Sequence, residues 1–188
     1  MTGAGEGVAP GEASREPPLA IVLMGVSGCG KSTVGAELSR RLGWPFRDAD
    51  SFHPPANIAK MSRGTPLTDA DRVPWLDAIA QWIDDRLAHG APGIVSCSAL
   101  KRAYRQRIVG ARARVGLIYL KGDIGLIAAR LAKRTSHFMP AALLASQFDA
   151  LEEPQPDERP VIVSIEETPA GIAAAIIAAL GCTAAEGA

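Results

Sequence analysis

The chain has 188 residues, in which 20 Lys and Arg balance 20 Asp and Glu. A net charge of zero excludes a global field that would draw the protein onto nucleic acid or an anionic membrane, so any anion it binds must be held by local groups. Hydrophobic and charged fractions of 47% and 21% exclude a disordered or fibrous chain and fit one globular α/β domain.

Residues 1–18 are rich in Gly, Ala, Glu and Pro and lack the basic start and apolar stretch of a signal peptide. They read as a disordered tail ahead of a single domain over residues 19–188. Nowhere do about 18 apolar residues run together, so no transmembrane helix and a cytoplasmic location are expected. Cys29, Cys97 and Cys182 are odd in number and lack metal-ligand spacing, which reads as free thiols in a reducing compartment.

Leu19 to Met24 is a short apolar run, and Lys31 to Leu42 has the helical spacing of Val34, Leu38 and Leu42. Between them Gly25-Val26-Ser27-Gly28-Cys29-Gly30-Lys31-Ser32 fits G-x-x-x-x-G-K-[ST] in the strand–loop–helix context that the motif demands. Glycines let the backbone wrap round phosphates, and the helix N-terminus adds a favourable dipole. Gly25 to Thr33 are therefore the expected contacts to ATP phosphates, with Lys31 on the β and γ phosphates and Ser32 on magnesium. A turn that binds nothing gives no reason for Lys then Ser after the last glycine. There is no N-K-x-D base-recognition motif, and the chain is too short for a motor or transporter ATPase. A small-molecule or nucleotide kinase remains.

Pro45 to Asp50 reads as a shorter strand whose period of two sends Asp48 and Asp50 to the same side. Asp48 is expected on the metal side and Asp50 as the base that takes a hydroxyl proton. His53, Asn57 and Lys60 share a face if a helix begins at Pro54 or Pro55. Asp69, Asp71 and Arg72 belong either to the acceptor site or to the charges ahead of a helix expected over Pro74 to Ala88. That helix would pack Trp75, Ile79, Trp82, Ile83 and Leu87 on one face.

Further strands are expected at Gly93 to Cys97, Val115 to Leu120 and Val161 to Ile165, each followed by a helical segment. Small residues at Ser96 to Ala99 permit close approach of a ligand. Arg102, Arg105, Arg107, Arg112 and Arg114 form a basic stretch without interleaved aromatics, which reads as a solvated helix face rather than a nucleic-acid site. Arg130 and Arg134 end a helix ahead of Thr135 to Pro140, a segment with the character of a lid that would bring arginines to the transferring phosphoryl group. The last helix runs from Pro169 to Leu180, after Thr168 as N-cap and before Gly181. The pattern predicts a three-layer α/β sandwich: a parallel five-stranded sheet, helices on both faces and a lid.

These segments resemble the gluconokinase family, a branch of the P-loop kinases similar in build to shikimate and nucleoside-monophosphate kinases. The resemblance spans roughly residues 19–180. Beyond the phosphate loop it rests on D-A-D-S-F-H-P from Asp48, N-I-A-K-M from Asn57, G-T-P-L-T-D-A-D-R-V-P-W-L from Gly64 and C-S-A-L-K-R-A-Y-R from Cys97. Y-L-K-G-D from Tyr119 and H-F-M-P-A-A-L-L-A-S-Q-F-D-A-L-E-E-P from His137 complete it. Ser136 departs from it, standing where many members have glycine.

The resemblance implies transfer from ATP to the 6-hydroxyl of D-gluconate, giving 6-phospho-D-gluconate and ADP, by a magnesium-dependent cytoplasmic homodimer that feeds the pentose phosphate or Entner-Doudoroff routes. The expected catalytic residues are Lys31, Asp50, Arg130 and Arg134. The expected acceptor contacts are Asp50, His53, Lys60, Arg72, Lys101 and His137, and neither nucleic acid nor membrane is expected as partner. Rival readings are a kinase acting on shikimate or a nucleotide, and an ATP-binding regulatory module without turnover. The Asp48–Asp50 pair and the lid arginines argue against the module.

Overall fold

All five residues of β1 (Ala20–Met24) are fully buried, as a strand covered on both faces must be. Its residues alternate between two apolar layers: Ile21 and Leu23 face one, and Ala20, Val22 and Met24 the other. A computed structural model describes residues 16–132 and 141–185 and shows β1 at the centre of a five-stranded, all-parallel sheet. Its partners are β2 (Phe46–Asp48), β3 (Gly93–Ser96), β4 (Val115–Lys121) and β5 (Val161–Ser164), in the order β2-β3-β1-β4-β5.

On one face α1 (Lys31–Leu42) and α7 (Pro169–Leu180) pack against each other through Val34, Leu38, Ile172 and Ile176. On the other, α3 (Asp69–Ala88) and α4 (Arg102–Ile108) bring Leu76, Ile79, Ile83 and Ile108 onto the sheet. The shorter helices α2 (Pro55–Ser62), α5 (Ile124–Ala132) and α6 (Ala141–Asp149) stand at the carboxyl end of the strands or beside it. The expected sandwich is present. No helix among the described residues is long and apolar enough to cross a membrane. Residues 1–15 of the expected tail, and Arg134 and Thr135 to Pro140 of the expected lid, lie outside the described residues.

Three local expectations are corrected. First, β2 stops at Asp48, because the Asp48 carboxylate accepts from Asp50 N–H (3.1 Å) and turns Ala49–Phe52 into a 3₁₀ helix. Strand alternation therefore does not relate Asp48 to Asp50.

Second, α3 starts at Asp69, five residues before Pro74. Thr68 Oγ1 accepts from Asp71 N–H (3.2 Å) and Asp71 Oδ2 accepts from Thr68 N–H (2.6 Å), a reciprocal cap that outweighs the ladder bond Pro74 cannot make. Thr68→Ala is expected to cost about 1 kcal/mol, read as a lower urea-unfolding midpoint. An unchanged midpoint would mean that Lys60, bonded to Asp71 at 2.5 Å, holds the helix start alone.

Third, Arg105 does not sit on a solvated face. It is 1% exposed, with its guanidinium on Glu158.

Candidate active site

The phosphate loop links β1 to α1 at the carboxyl edge of the sheet, the position where open α/β sheets bind ligands. Gly25 is required by space as well as by backbone angle. Its φ is +142°, and a Cβ there would meet Leu120 O at 2.9 Å. At Gly28, φ is +85° and a Cβ would lie 2.8 Å from Leu131 of α5. The loop is thus pressed between β4 and α5.

The N-terminus of α1 has Gly30 as N-cap, no side-chain cap and no acidic residue in its first turn. Its N–H groups and positive dipole end are left for an anion. Lys31 Nζ folds back onto the carbonyls of Gly25 (2.8 Å) and Val26 (3.0 Å), which holds the cation over the loop.

A cleft of about 200 Å³ opens here, with Lys31, Ser32 and Thr33 on one wall and Asp48, Asp50, Trp75 and Ser98 among the residues facing them. Ser32 Oγ donates to Asp48 Oδ2 at 2.9 Å. A hydroxyl and a carboxylate this close, beside a phosphate cradle, are the hard oxygen donors that suit magnesium, which keeps waters and phosphate oxygens for its other ligands. The Asp50 side chain is 90% exposed and projects into the open part of the site.

On the acceptor side, His53 stacks flat on Trp75 with ring centroids 4.5 Å apart, and Trp75 Nε1 donates to Ala49 O at 2.7 Å. The indole thus fixes both the turn that carries Asp50 and the imidazole beside it. Burial lowers the His53 pKa, and the Asp50 carboxylate 4.0 Å away opposes that shift. Asn57 is buried and donates to Asp71 O at 2.9 Å, which ties α2 to the start of α3.

Asp69 joins the remaining candidates. Its carboxylate accepts from Lys101 Nζ at 2.6 Å and from the Tyr104 hydroxyl, with Arg72 at 3.5 Å. Lys101 first, then Tyr104, holds its pKa below the usual carboxylate range. Lys60 is engaged elsewhere, on Asp71, whose pKa it also depresses.

Arg130 donates to Ile165 O, just past the end of β5. Arg134 and His137 lie outside the described residues. Burial pushes the Cys97 thiol up to about 12 and raises the Cys29 pKa as well. Neither is set up as a nucleophile.

Three participants have contacts that the sequence patterns do not assign. Helical spacing assigns Trp75 to core packing only, and its partner His53 is 22 residues away in the chain. Asp69 stands out only as part of a charge group. Gln147, whose Oε1 accepts from Ser27 N–H at 2.6 Å, lies within the segment from His137 that carries the family resemblance, but nothing there assigns it a role.

A glycine-rich loop at an uncapped helix start, facing a carboxylate pair at the carboxyl edge of a parallel sheet, defines a P-loop kinase. The family profile described as an AAA domain matches residues 21–154. The gluconokinase of Gluconobacter oxydans is 47% identical over 81% of this chain and 85% of its own length. A crystal structure of a gluconokinase from Sinorhizobium meliloti is 45% identical, with a TM-score of 0.77 over 89% of this chain and 94% of that one. Shikimate kinase from Bacteroides thetaiotaomicron has a TM-score of 0.61 over 87% of this chain and 98% of its own, at 18% identity, a likeness of fold alone. The chain belongs to the gluconokinase family.

Proposed function

We propose that this protein transfers the terminal phosphoryl group of ATP to the 6-hydroxyl of D-gluconate. The observation that carries the reaction class is the cleft in which Lys31 and Ser32 of the uncapped α1 face Asp48 and Asp50. Relatives named gluconokinase support the choice of acceptor.

In this reading the N–H groups at the start of α1 hold the inner phosphates, and Lys31 leaves the Gly25 and Val26 carbonyls to bridge the outer ones. Ser32 and Asp48 would hold magnesium, which would supply charge neutralisation on the phosphates. Asp50 accepts the proton of the 6-hydroxyl as that oxygen bonds to phosphorus and the bond to the ADP oxygen breaks. His53, Arg72 and Lys101 hold the acid and hydroxyl groups of gluconate. Arg130 is assigned to neutralising charge on the transferring phosphoryl group. The reading includes a cytoplasmic homodimer, as the family resemblance implies.

The test is a coupled assay of ADP release with magnesium and ATP, comparing D-gluconate with other aldonic acids, shikimate and nucleoside monophosphates. Turnover with gluconate far above the rest is expected. Turnover with another acceptor would overturn the substrate, and nucleotide binding without any turnover would point to a regulatory module.

A further inference from the structure

A side chain occupies one backbone donor at the crest of the phosphate loop. Ser27 N–H donates to the side chain of Gln147, 120 residues further along, at 2.6 Å. Because an N–H needs an acceptor, this contact fixes which end of the amide faces the loop: Oε1 touches Ser27, and the –NH₂ end, with two donors, is bonded to the same carbon.

Gln147 is firmly placed. Leu144 and Phe148, three residues before it and one after, anchor α6 in the same apolar layer that holds Val26 and Cys29 of the loop. From the neighbouring α5, Leu131 covers Gly28. The crest of the loop, Ser27–Gly28, is therefore flanked by two helices, one offering apolar contact and the other an amide.

The position of Ser27 says what this amide does. The helix-start N–H groups after Gly30 receive the inner phosphates of a nucleotide, and the ascending half of the loop, with Ser27, is left for the outermost one. A neutral amide oxygen on that N–H is a weaker acceptor than a phosphate oxygen, since hydrogen bonds to ionised groups are roughly twice as strong as neutral ones. Occupation of this donor by a side chain is therefore reversible by a terminal phosphate.

Resting on the kinase reading above, we propose that Gln147 is a positioning residue that discriminates nucleoside triphosphate from diphosphate. With the outermost phosphate absent, Oε1 holds the Ser27 N–H and keeps the loop in shape. When a triphosphate enters, its terminal phosphate takes the N–H and the amide turns to donate to that phosphate through Nε2. Once the phosphoryl group has left, Oε1 returns to Ser27 and the diphosphate is held by the helix start alone. The exchange aligns the group to be transferred and favours release of ADP.

Gln147→Glu separates the two halves of this role. A carboxylate still accepts from Ser27 N–H, but it offers no donor and opposes the phosphate charge. With magnesium present, titration calorimetry should show the affinity for a non-hydrolysable ATP analogue falling about tenfold or more, a loss of roughly 1.4 kcal/mol, while that for ADP changes less than about threefold. Gln147→Leu, which keeps the bulk and removes both functions, should also weaken the analogue selectively. Thermal melting of each variant checks that the fold is intact, and the leucine variant carries the test if the glutamate one is unstable. Equal weakening of both nucleotides, or of neither, would overturn the role of Gln147 while leaving the kinase reading standing. A wild-type protein that binds neither nucleotide would overturn the kinase reading itself.

Discussion

Lys31→Ala is expected to lower kcat/KM for the kinase reaction by about a thousandfold or more, and Asp50→Asn by about a hundredfold. The order follows from the chemistry and from where each side chain sits. Phosphoryl transfer passes through a loose transition state in which charge on the equatorial oxygens must be stabilised and little proton abstraction is complete. Lys31 is the cation of the cradle itself, held over the loop by the carbonyls of Gly25 and Val26. Asp50 is 90% exposed, so its interaction with a hydroxyl proton is screened by water until the acceptor covers it. Steady-state kinetics on folded variants checks the order. Since Lys31→Ala also removes two contacts that shape the loop, thermal melting should accompany the assay. A larger loss for Asp50→Asn would mean that proton abstraction by the carboxylate, rather than charge stabilisation by the cradle, lowers the barrier most.

The parts of this site that are readable in the sequence are those made by neighbours in the chain. The phosphate loop is eight consecutive residues whose spacing encodes its conformation, and Lys31, Ser32 and Asp48 line one cleft. The alternation of strands and helices likewise carries the sheet, because strands buried on both faces must be apolar throughout.

What is not readable depends on side chains that meet only after folding. Thr68 and Asp71 form a helix cap that the proline six residues after Thr68 disguises as the helix start. The Trp75–His53 stack joins two elements, and neither residue type announces it. Arg105 is the clearest case: it lies in a run of arginines that are ion-paired at the surface, and only the approach of residues 155–158 turns it inward.

That arginine carries the largest expected effect on stability. Its Nε and Nη2 hold both oxygens of Glu158 (2.6 and 3.0 Å), and its Nη1 donates to the carbonyls of Ala99 (3.1 Å) and Leu100 (3.0 Å). Ala99 has a φ of +44°, a conformation that a residue with a side chain rarely adopts and that surrounding contacts must enforce. Glu152 N–H also donates to Leu100 O at 2.9 Å, so the segment after α6 is tied to the loop between β3 and α4 both directly and through Arg105. Ser98 and Lys101, which face or flank the cleft, sit on that loop. Burial alone would raise the Glu158 pKa, yet the Arg105 hydrogen bonds bring it below the ordinary value.

A buried pair adds little net stability, since both ions give up water to form it, but removing one partner strands the other. Arg105→Met is therefore expected to cost about 3–5 kcal/mol, a fall in melting temperature on the order of 10 °C. Combining it with Glu158→Leu should recover part of that loss, because the stranded carboxylate is gone while the two carbonyls stay unpaired. The loop should relax in both variants, so KM for the acceptor should rise even where the fold survives. If Arg105→Met unfolds within about 1 kcal/mol of the wild type, Ala99 keeps its conformation without the guanidinium, and the tie through Arg105 is not what shapes the site.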